Sequence, residues 1–301
     1  MSFPYVTDIV NASFGTHWHL PLPTFGVIVA IAVVLATWVA TQLVRRYEEL
    51  GRLPPRSHTW VTDMVLVSVL AGIVGARVFD IFDNLDRFLA DPLSLIFTRA
   101  GFSIYGGLCF GIVAGVIFVR RRLIPVIPML DATAPAMMLG YGIGRLGCQL
   151  SGDADWGIAA NMLLKPSWLP DWLWAQTYAG NIAGVIISPP GVYPTPIYEF
   201  VMALAIFWVL WRLRLQDNRA GYLFSVYLLL AGFERLVIEK IRINTRYELF
   251  GAHLTQAEAI SMLLVLAGLI GVLVTLRKQR FWTRVIISAG VLGALSACAP
   301  H

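Results

Sequence analysis

Charge is what this sequence most lacks. Asp, Glu, Lys and Arg make up 14% of its 301 residues, where a soluble domain carries roughly 25%. About half the usual polar coat is missing, which excludes an ordinary soluble globule, and the 57% of hydrophobic residues excludes disorder. Cysteine is scarce as well. Cys109, Cys148 and Cys298 form no CxxC pair, so neither a disulfide framework nor a zinc site is expected. The first twenty residues hold no Lys or Arg. Without a basic leading region they do not read as a cleaved signal peptide, and the first apolar segment is expected to be retained. No internal repeat is apparent, which argues against a transporter built from paired inverted halves.

What the sequence does have is long apolar runs, with a mean hydropathy of +0.70. Seven of them, 24–44, 60–82, 102–119, 124–147, 194–211, 221–241 and 256–276, are close to the ~20 residues that cross a bilayer as a helix. The net charge of +5 and the sequence pI near 9.3 do not indicate a nucleic-acid binder. The basic residues cluster after the odd-numbered segments, at Arg45, Arg46, Arg52 and Arg56, at Arg120–Arg122, at Arg212, Arg214 and Arg219, and at Arg277, Lys278, Arg280 and Arg284. The positive-inside rule then puts those loops in the cytoplasm and the N-terminus outside. The expected fold is an all-α integral membrane protein with seven transmembrane helices and a small external cap at 149–193, between the fourth and fifth. Its four tryptophans, Trp156, Trp168, Trp172 and Trp174, suit the headgroup region.

An ionisable side chain within a span is costly and marks a site by default. Arg77 lies in Gly75-Ala76-Arg77, Arg145 in Gly142-Ile143-Gly144-Arg145-Leu146-Gly147, and Arg235, Glu239 and Arg242 follow one another at helical spacing near the end of the sixth segment. The plain reading of any single Arg is snorkelling to lipid phosphates, and of the glycines, helix packing. Arginines from three segments at one depth point instead to a pocket for an anion, and at that depth a lipid phosphate, which guanidinium groups bind bidentately. Tyr105, before Gly106-Gly107, reads either as an interfacial tyrosine or as a hydroxyl facing the same site. Glu199, inside the fifth segment, needs a cationic partner.

These ordered motifs resemble those of the prolipoprotein diacylglyceryl transferase family: Gly-Ala-Arg at 75–77, Tyr-Gly-Gly at 105–107, Gly-Arg-Leu-Gly at 144–147, Ser-Gly-Asp at 151–153 with Trp156-Gly157, Pro194 with Tyr198-Glu199, and Arg235, Glu239 and Arg242. The resemblance runs from about residue 20 to 278. It implies transfer of a diacylglyceryl group from phosphatidylglycerol to the lipobox cysteine of a prolipoprotein, with release of glycerol phosphate, in the bacterial inner membrane. It implies no metal or cofactor. The partners it implies are phosphatidylglycerol, a prolipoprotein signal peptide and the membrane, with no nucleic acid and a monomeric state. Carried over by motif, Arg145 and Arg235 bind the lipid phosphate, and Glu239 and Glu199 hold them. Arg77, Cys148, Asp153, Gly157, Tyr198 and Arg242 complete the substrate site, with Tyr105 as the catalytic residue of the Gly-Gly motif. Four positions depart from the family pattern: Tyr105 replaces a usual His, Cys148 a usual Asn, Phe25 a Tyr and Tyr193 a His. A tyrosine of pKa ~10 is a poorer base than imidazole, although nearby arginines favour the phenolate. The other proton acceptors are phosphate and water. The rival reading of these departures is a catalytically silent or altered-specificity relative that binds anionic lipid or signal peptides.

The chain divides into a transferase body, 1–281, and a tail, 282–301. Basic residues lead into a short apolar stretch and then Leu295-Ser296-Ala297-Cys298, the anatomy of a secretory signal ending in a sequence like a lipobox. Three readings stand: a short eighth membrane segment, a remnant of a neighbouring lipoprotein frame, or a cis substrate or inhibitor with Cys298 as self-acceptor.

Overall fold

The computed structural model describes residues 2–91, 103–214, 216, 219–244, 246–249 and 252–297. Its helices in chain order are α1 (Val6–Phe14), α2 (Thr24–Glu49), α3 (Val61–Asp83), α4 (Leu85–Ala90), α5 (Ile104–Arg121), α6 (Val126–Ser151), α7 (Asp171–Trp174), α8 (Thr195–Leu213), α9 (Tyr222–Glu239) and α10 (Gln256–Ala297). A two-stranded hairpin, β1 (Arg246–Leu249) and β2 (Ala252–Thr255), pairs antiparallel with Arg246 opposite Thr255 and is an addition to the all-α expectation. It falls in the polar stretch between the last two apolar runs, where strand pairing can satisfy the backbone without a helix.

Six helical stretches among the described residues are long and apolar enough to cross a membrane: Thr24–Glu49, Ser57–Asp83, Ile104–Arg121, Val126–Ser151, Thr195–Leu213 and Gln256–Arg277. Each matches one of the seven expected segments. The remaining segment is α9, which has 18 residues but carries Glu234, Arg235 and Glu239 in its last two turns. Large apolar side chains stand exposed along the helices, among them Trp38, Leu70, Val74, Val113, Leu263 and Ile270. In water this would be a liability; facing lipid tails it is the expected surface of a membrane protein. Helix α10 runs unbroken for 42 residues through the basic stretch and into the segment read as a tail. Cys298 lies outside the described residues.

The chain forms two compact units. In the unit spanning 37–133, α3 and α5 pack through a seam of small residues. A Cβ on Gly75 would lie 2.5 Å from the Gly106 carbonyl oxygen, and one on Gly106 would lie 2.6 Å from Phe79 Cβ. The glycines of the Gly-Ala-Arg and Tyr-Gly-Gly motifs therefore let two backbones touch, as small residues do between membrane helices. Gly106→Ala is expected to lower the stability of the detergent-solubilised protein by about 1–3 kcal/mol through overpacking, read by thermal unfolding. Gly26→Ala, where an added Cβ meets nothing within 4 Å, is expected to leave stability unchanged or slightly raised.

In the unit of residues 2–36 and 134–297, the start of α2 packs on α6. A Cβ on Gly140 would meet that of Ala36 at 3.2 Å, and one on Gly147 would meet the Phe25 ring at 3.1 Å. Met138 of α6 joins Ala203, Ile206 and Leu210 of α8 and Leu223 and Val226 of α9 in a buried core. Between α6 and α8 the chain forms a compact loop module. Its small core is Trp156, Tyr178 and Val192, with the Trp156 and Tyr178 rings 5.0 Å apart. Trp168 and Trp172 are exposed on it. The Tyr178 hydroxyl donates to Gln149 Oε1 of α6 at 2.7 Å, and the Tyr198 hydroxyl of α8 donates to the Leu173 carbonyl at 2.6 Å. These two bonds tie the module to the helices that flank it.

Candidate active site

Helix α6 ends at Gly152, whose φ of +64° and N–H bond to the Cys148 carbonyl make a left-handed cap. The chain then turns tightly, with Ala154 also left-handed at φ +73°, and Asp155 is directed back at Arg145 one helical stretch earlier. Two residues on, Gly157 pairs with Arg242 in an isolated antiparallel bridge. A Cβ on Gly157 would lie 2.5 Å from the Ile241 carbonyl and 2.9 Å from Thr195 Cγ2. Only glycine admits that approach, so Gly157 brings the segment carrying Arg242 against the loop that carries Asp155.

Helix α8 starts on Pro194, with Pro196 in its first turn, where a missing N–H costs nothing. That fixed start places Glu199 one turn in, fully buried. Thr195 Oγ1 donates to the Asp155 carbonyl at 2.7 Å, securing the loop to the helix. Three guanidinium groups converge on Glu199: Arg235 Nη1 at 3.2 Å from Oε1, Arg242 Nη1 at 3.3 Å from Oε2, and Arg145 Nε at 3.6 Å from Oε2. Tyr141, one turn before Arg145, is hydrogen-bonded to Glu199 at 3.2 Å and to the buried Glu234 at 3.3 Å, and the Arg145 guanidinium lies 5.0 Å from its ring centroid.

Arg235 also pairs with Glu239 at 3.0 Å, one turn along α9. Glu239 is fixed by Asn244 Nδ2 and Thr255 Oγ1, both at 2.6 Å. Thr255 in turn caps α10. Its Oγ1 accepts from the Glu258 N–H, and Glu258 Oε2 accepts from the Thr255 N–H, each at 3.0 Å, a reciprocal capping box. The start of the last long helix thus braces the carboxylate that braces Arg235. Helix α9 ends at Glu239, so Arg242 is not on its face as the spacing suggested; it reaches Glu199 from the turn that Gly157 holds.

Asp155 closes the cluster. One carboxylate oxygen pairs with Arg145 and the other with Arg242. Burial alone would raise the Asp155 carboxyl, but Arg242 and then Arg145 outweigh it and hold it below the usual carboxylate range. Asp153 behaves oppositely, pushed upward by burial and by the charge of Asp155. Three arginines are thus ion-paired with Glu199, Glu239 and Asp155, with the buried Glu234 beside them on Tyr141, rather than lining a bare cationic pocket. Cys148, Asp153 and Asp155 bring potential ligand atoms within 4.8 Å of one another. Both Asp155 oxygens are already taken by guanidinium groups, which would repel a cation there, and the trio does not read as a metal site.

The structure brings together Arg145, Glu199, Arg235, Glu239, Arg242, Cys148, Asp153 and Gly157 of the residues expected from the sequence. Cys148 Sγ lies 4.0 Å from Arg145 Nη1. Tyr198 is used on the loop module. Arg77 and Tyr105 belong to the other unit, where Arg77 Nη1 is 3.3 Å from Asp80 Oδ2 and Tyr105 stands partly exposed in the first turn of α5. Sequence reasoning missed Asp155, Tyr141 and Glu234. Each had a signal: Asp155 immediately precedes Trp156-Gly157, Tyr141 lies one turn before Arg145, and Glu234 adjoins Arg235.

Comparison with known proteins gives this cluster a family context. The sequence model described as prolipoprotein diacylglyceryl transferase matches residues 14–274. A phosphatidylglycerol–prolipoprotein diacylglyceryl transferase of Leptospira interrogans is 27% identical over 265 residues, covering 80% of this chain and 77% of that protein. Proteins of the same name from Bacillus cytotoxicus and Bacillus cereus are each 31% identical over 255 residues, covering 84% of this chain and 88% of theirs. The matched span contains the arginine–glutamate cluster, the loop module and all six apolar helical stretches but for the end of the last, Gln256–Arg277. The chain belongs to the prolipoprotein diacylglyceryl transferase family.

Proposed function

We propose that this protein transfers a diacylglyceryl group from phosphatidylglycerol to the lipobox cysteine of a prolipoprotein, releasing glycerol phosphate. In this reading it crosses the bacterial inner membrane seven times, α9 being the sixth crossing, with its N-terminus and the loop module outside. The observation that carries the reading is the convergence of Arg145, Arg235 and Arg242 on the buried Glu199 in a chain whose relatives bear this enzyme's name.

In the reaction the thiolate sulfur attacks the glyceryl carbon that carries the phosphate. The carbon–oxygen bond breaks and its electron pair stays on the phosphate oxygen, turning a singly charged diester into a doubly charged monoester. Arg145 and Arg235 bind that phosphate, and their fixed charges stabilise the extra charge as it develops in a water-poor site. Glu199 and Glu239 hold the two guanidinium groups in position, and Arg242, Cys148, Asp153, Gly157 and Tyr198 complete the site. A thiol of pKa ~8.5 must lose its proton to attack, and the phenolate form of Tyr105 is the group assigned to take it.

Purified protein supplied with phosphatidylglycerol and a lipobox peptide is expected to yield the thioether-linked peptide and glycerol phosphate in equal amounts. Tyr105→Phe is expected to slow transfer by about 10²-fold or more. Wild-type protein that binds phosphatidylglycerol but forms no product would refute the transferase reading, and an unimpaired Tyr105→Phe would remove the tyrosine as base.

A further inference from the structure

The ion pairing raises a question for any anionic ligand: the arginines that would hold it already have partners. Those partners differ in depth. The Glu199 and Glu239 side chains are 0% accessible, whereas Asp155 is 28% accessible, more than either of the two arginines it joins or Arg235. Asp155 is therefore the solvent-side member of the cluster. Its two oxygens engage two separate guanidinium groups, Oδ2 with Arg145 and Oδ1 with Arg242, the arrangement in which two non-bridging phosphate oxygens would be held.

We propose that Asp155 is a built-in occupant of the anion seat, a carboxylate that the lipid phosphate must displace, and that it thereby determines which headgroups are accepted. The proposal rests on the phosphatidylglycerol reading above and deepens it. The main chain of Asp155 is pinned by Thr195 Oγ1 on its carbonyl, while the preceding Ala154 sits in a left-handed conformation that non-glycine residues rarely adopt. The carboxylate can leave by side-chain rotation while its backbone stays put. Its departure takes one carboxylate away from both Arg145 and Arg242, so that the single negative charge of a phosphodiester can take its place.

Selectivity follows from competition. A free carboxylate, such as a fatty-acid anion, can offer Arg145 and Arg242 only what Asp155 already offers from within the chain, at a high effective concentration. A tetrahedral phosphodiester can also address Arg235, which Asp155 does not touch. The occupant therefore screens out carboxylate lipids at the cost of weakening every anion to some degree.

The test is phosphatidylglycerol binding by the full-length protein in mixed micelles, with oleate as competitor. Asp155→Asn is expected to bind phosphatidylglycerol roughly tenfold or more tightly than wild type, the loss of one charge-assisted contact from the competing side. Oleate, ineffective against wild type, is expected to displace the lipid from the variant. Equal or weaker binding by Asp155→Asn would overturn the proposal and leave Asp155 a structural bridge. Should Asp155→Asn fail to fold, Asp155→Glu keeps the charge on a longer arm that no longer fits both guanidinium groups. Its affinity is then expected to exceed that of wild type, and an affinity at or below wild type overturns the proposal equally. Failure of the underlying reading looks different: wild-type binding of phosphatidylglycerol would then be indifferent to Arg145→Ala.

Discussion

Arg145→Ala is expected to lower diacylglyceryl transfer to a lipobox peptide by about 10²–10³-fold, the usual consequence of removing one preorganised donor from a developing oxyanion. Arg145 reaches both Asp155 and Glu199, so it links the accessible and buried carboxylates of the cluster. The fold is expected to survive its loss, because Glu199 keeps Arg235 and Arg242, and Asp155 keeps Arg242. Arg145→Lys is expected to recover only part of the rate, since a single ammonium cannot present the planar fork that addresses two oxygens at once. Arg235→Ala is expected to behave like Arg145→Ala, with an added loss from leaving Glu239 without its ion-pair partner. The assay is initial-rate transfer with purified proteins whose thermal unfolding matches wild type. Wild-type rates in either variant would count against the phosphate-clamp role.

Glu199→Leu is expected to produce the largest loss of stability, about 3–5 kcal/mol, because it leaves three guanidinium groups around a buried site without their shared counter-charge. Glu199→Gln keeps the shape and one carbonyl acceptor and is expected to lose less. It also frees one positive charge, so phosphatidylglycerol binding to the folded Gln variant is expected to tighten while turnover falls, as the arginines lose the anchor that aims them. Unfolding of both variants in detergent, compared with wild type, separates the two effects. A stable Glu199→Leu protein would show that the three arginines do not depend on that carboxylate.

The membrane helices were legible because lipid imposes one rule on every span, and apolar length with loop charge expresses it directly. The segment with the weakest apolar signal, α9, is the one that carries Glu234, Arg235 and Glu239, so the site itself blurs the fold signal. Arg145, Arg235 and Glu199 stood out for the complementary reason, as charges in the wrong solvent. Asp155 did not, because it lies in a polar loop where a carboxylate is unremarkable from sequence alone; its importance comes from the turn at Gly152 and Ala154 and from the bridge between Gly157 and Arg242, both tertiary features. The motif glycines were readable as either packing or ligand approach. The structure shows that Gly75 and Gly106 serve helix contact, while Gly157 serves the approach of two backbone segments that set Arg242. The hairpin at 246–255 was hidden for a different reason, since a short polar connection carries no periodicity long enough to read.

The most direct measurement is of contact between arginine and lipid phosphorus. Protein with nitrogen-15-labelled arginine, reconstituted in phosphatidylglycerol bilayers, would be examined for dipolar coupling between guanidinium nitrogens and the phosphorus nucleus, with Arg145→Lys and Arg235→Lys used to assign the signals. The account predicts close-contact coupling from both arginines, strengthened when Asp155 is replaced by Asn. Couplings absent at both positions in protein that still turns over phosphatidylglycerol would place the phosphate elsewhere and contradict it.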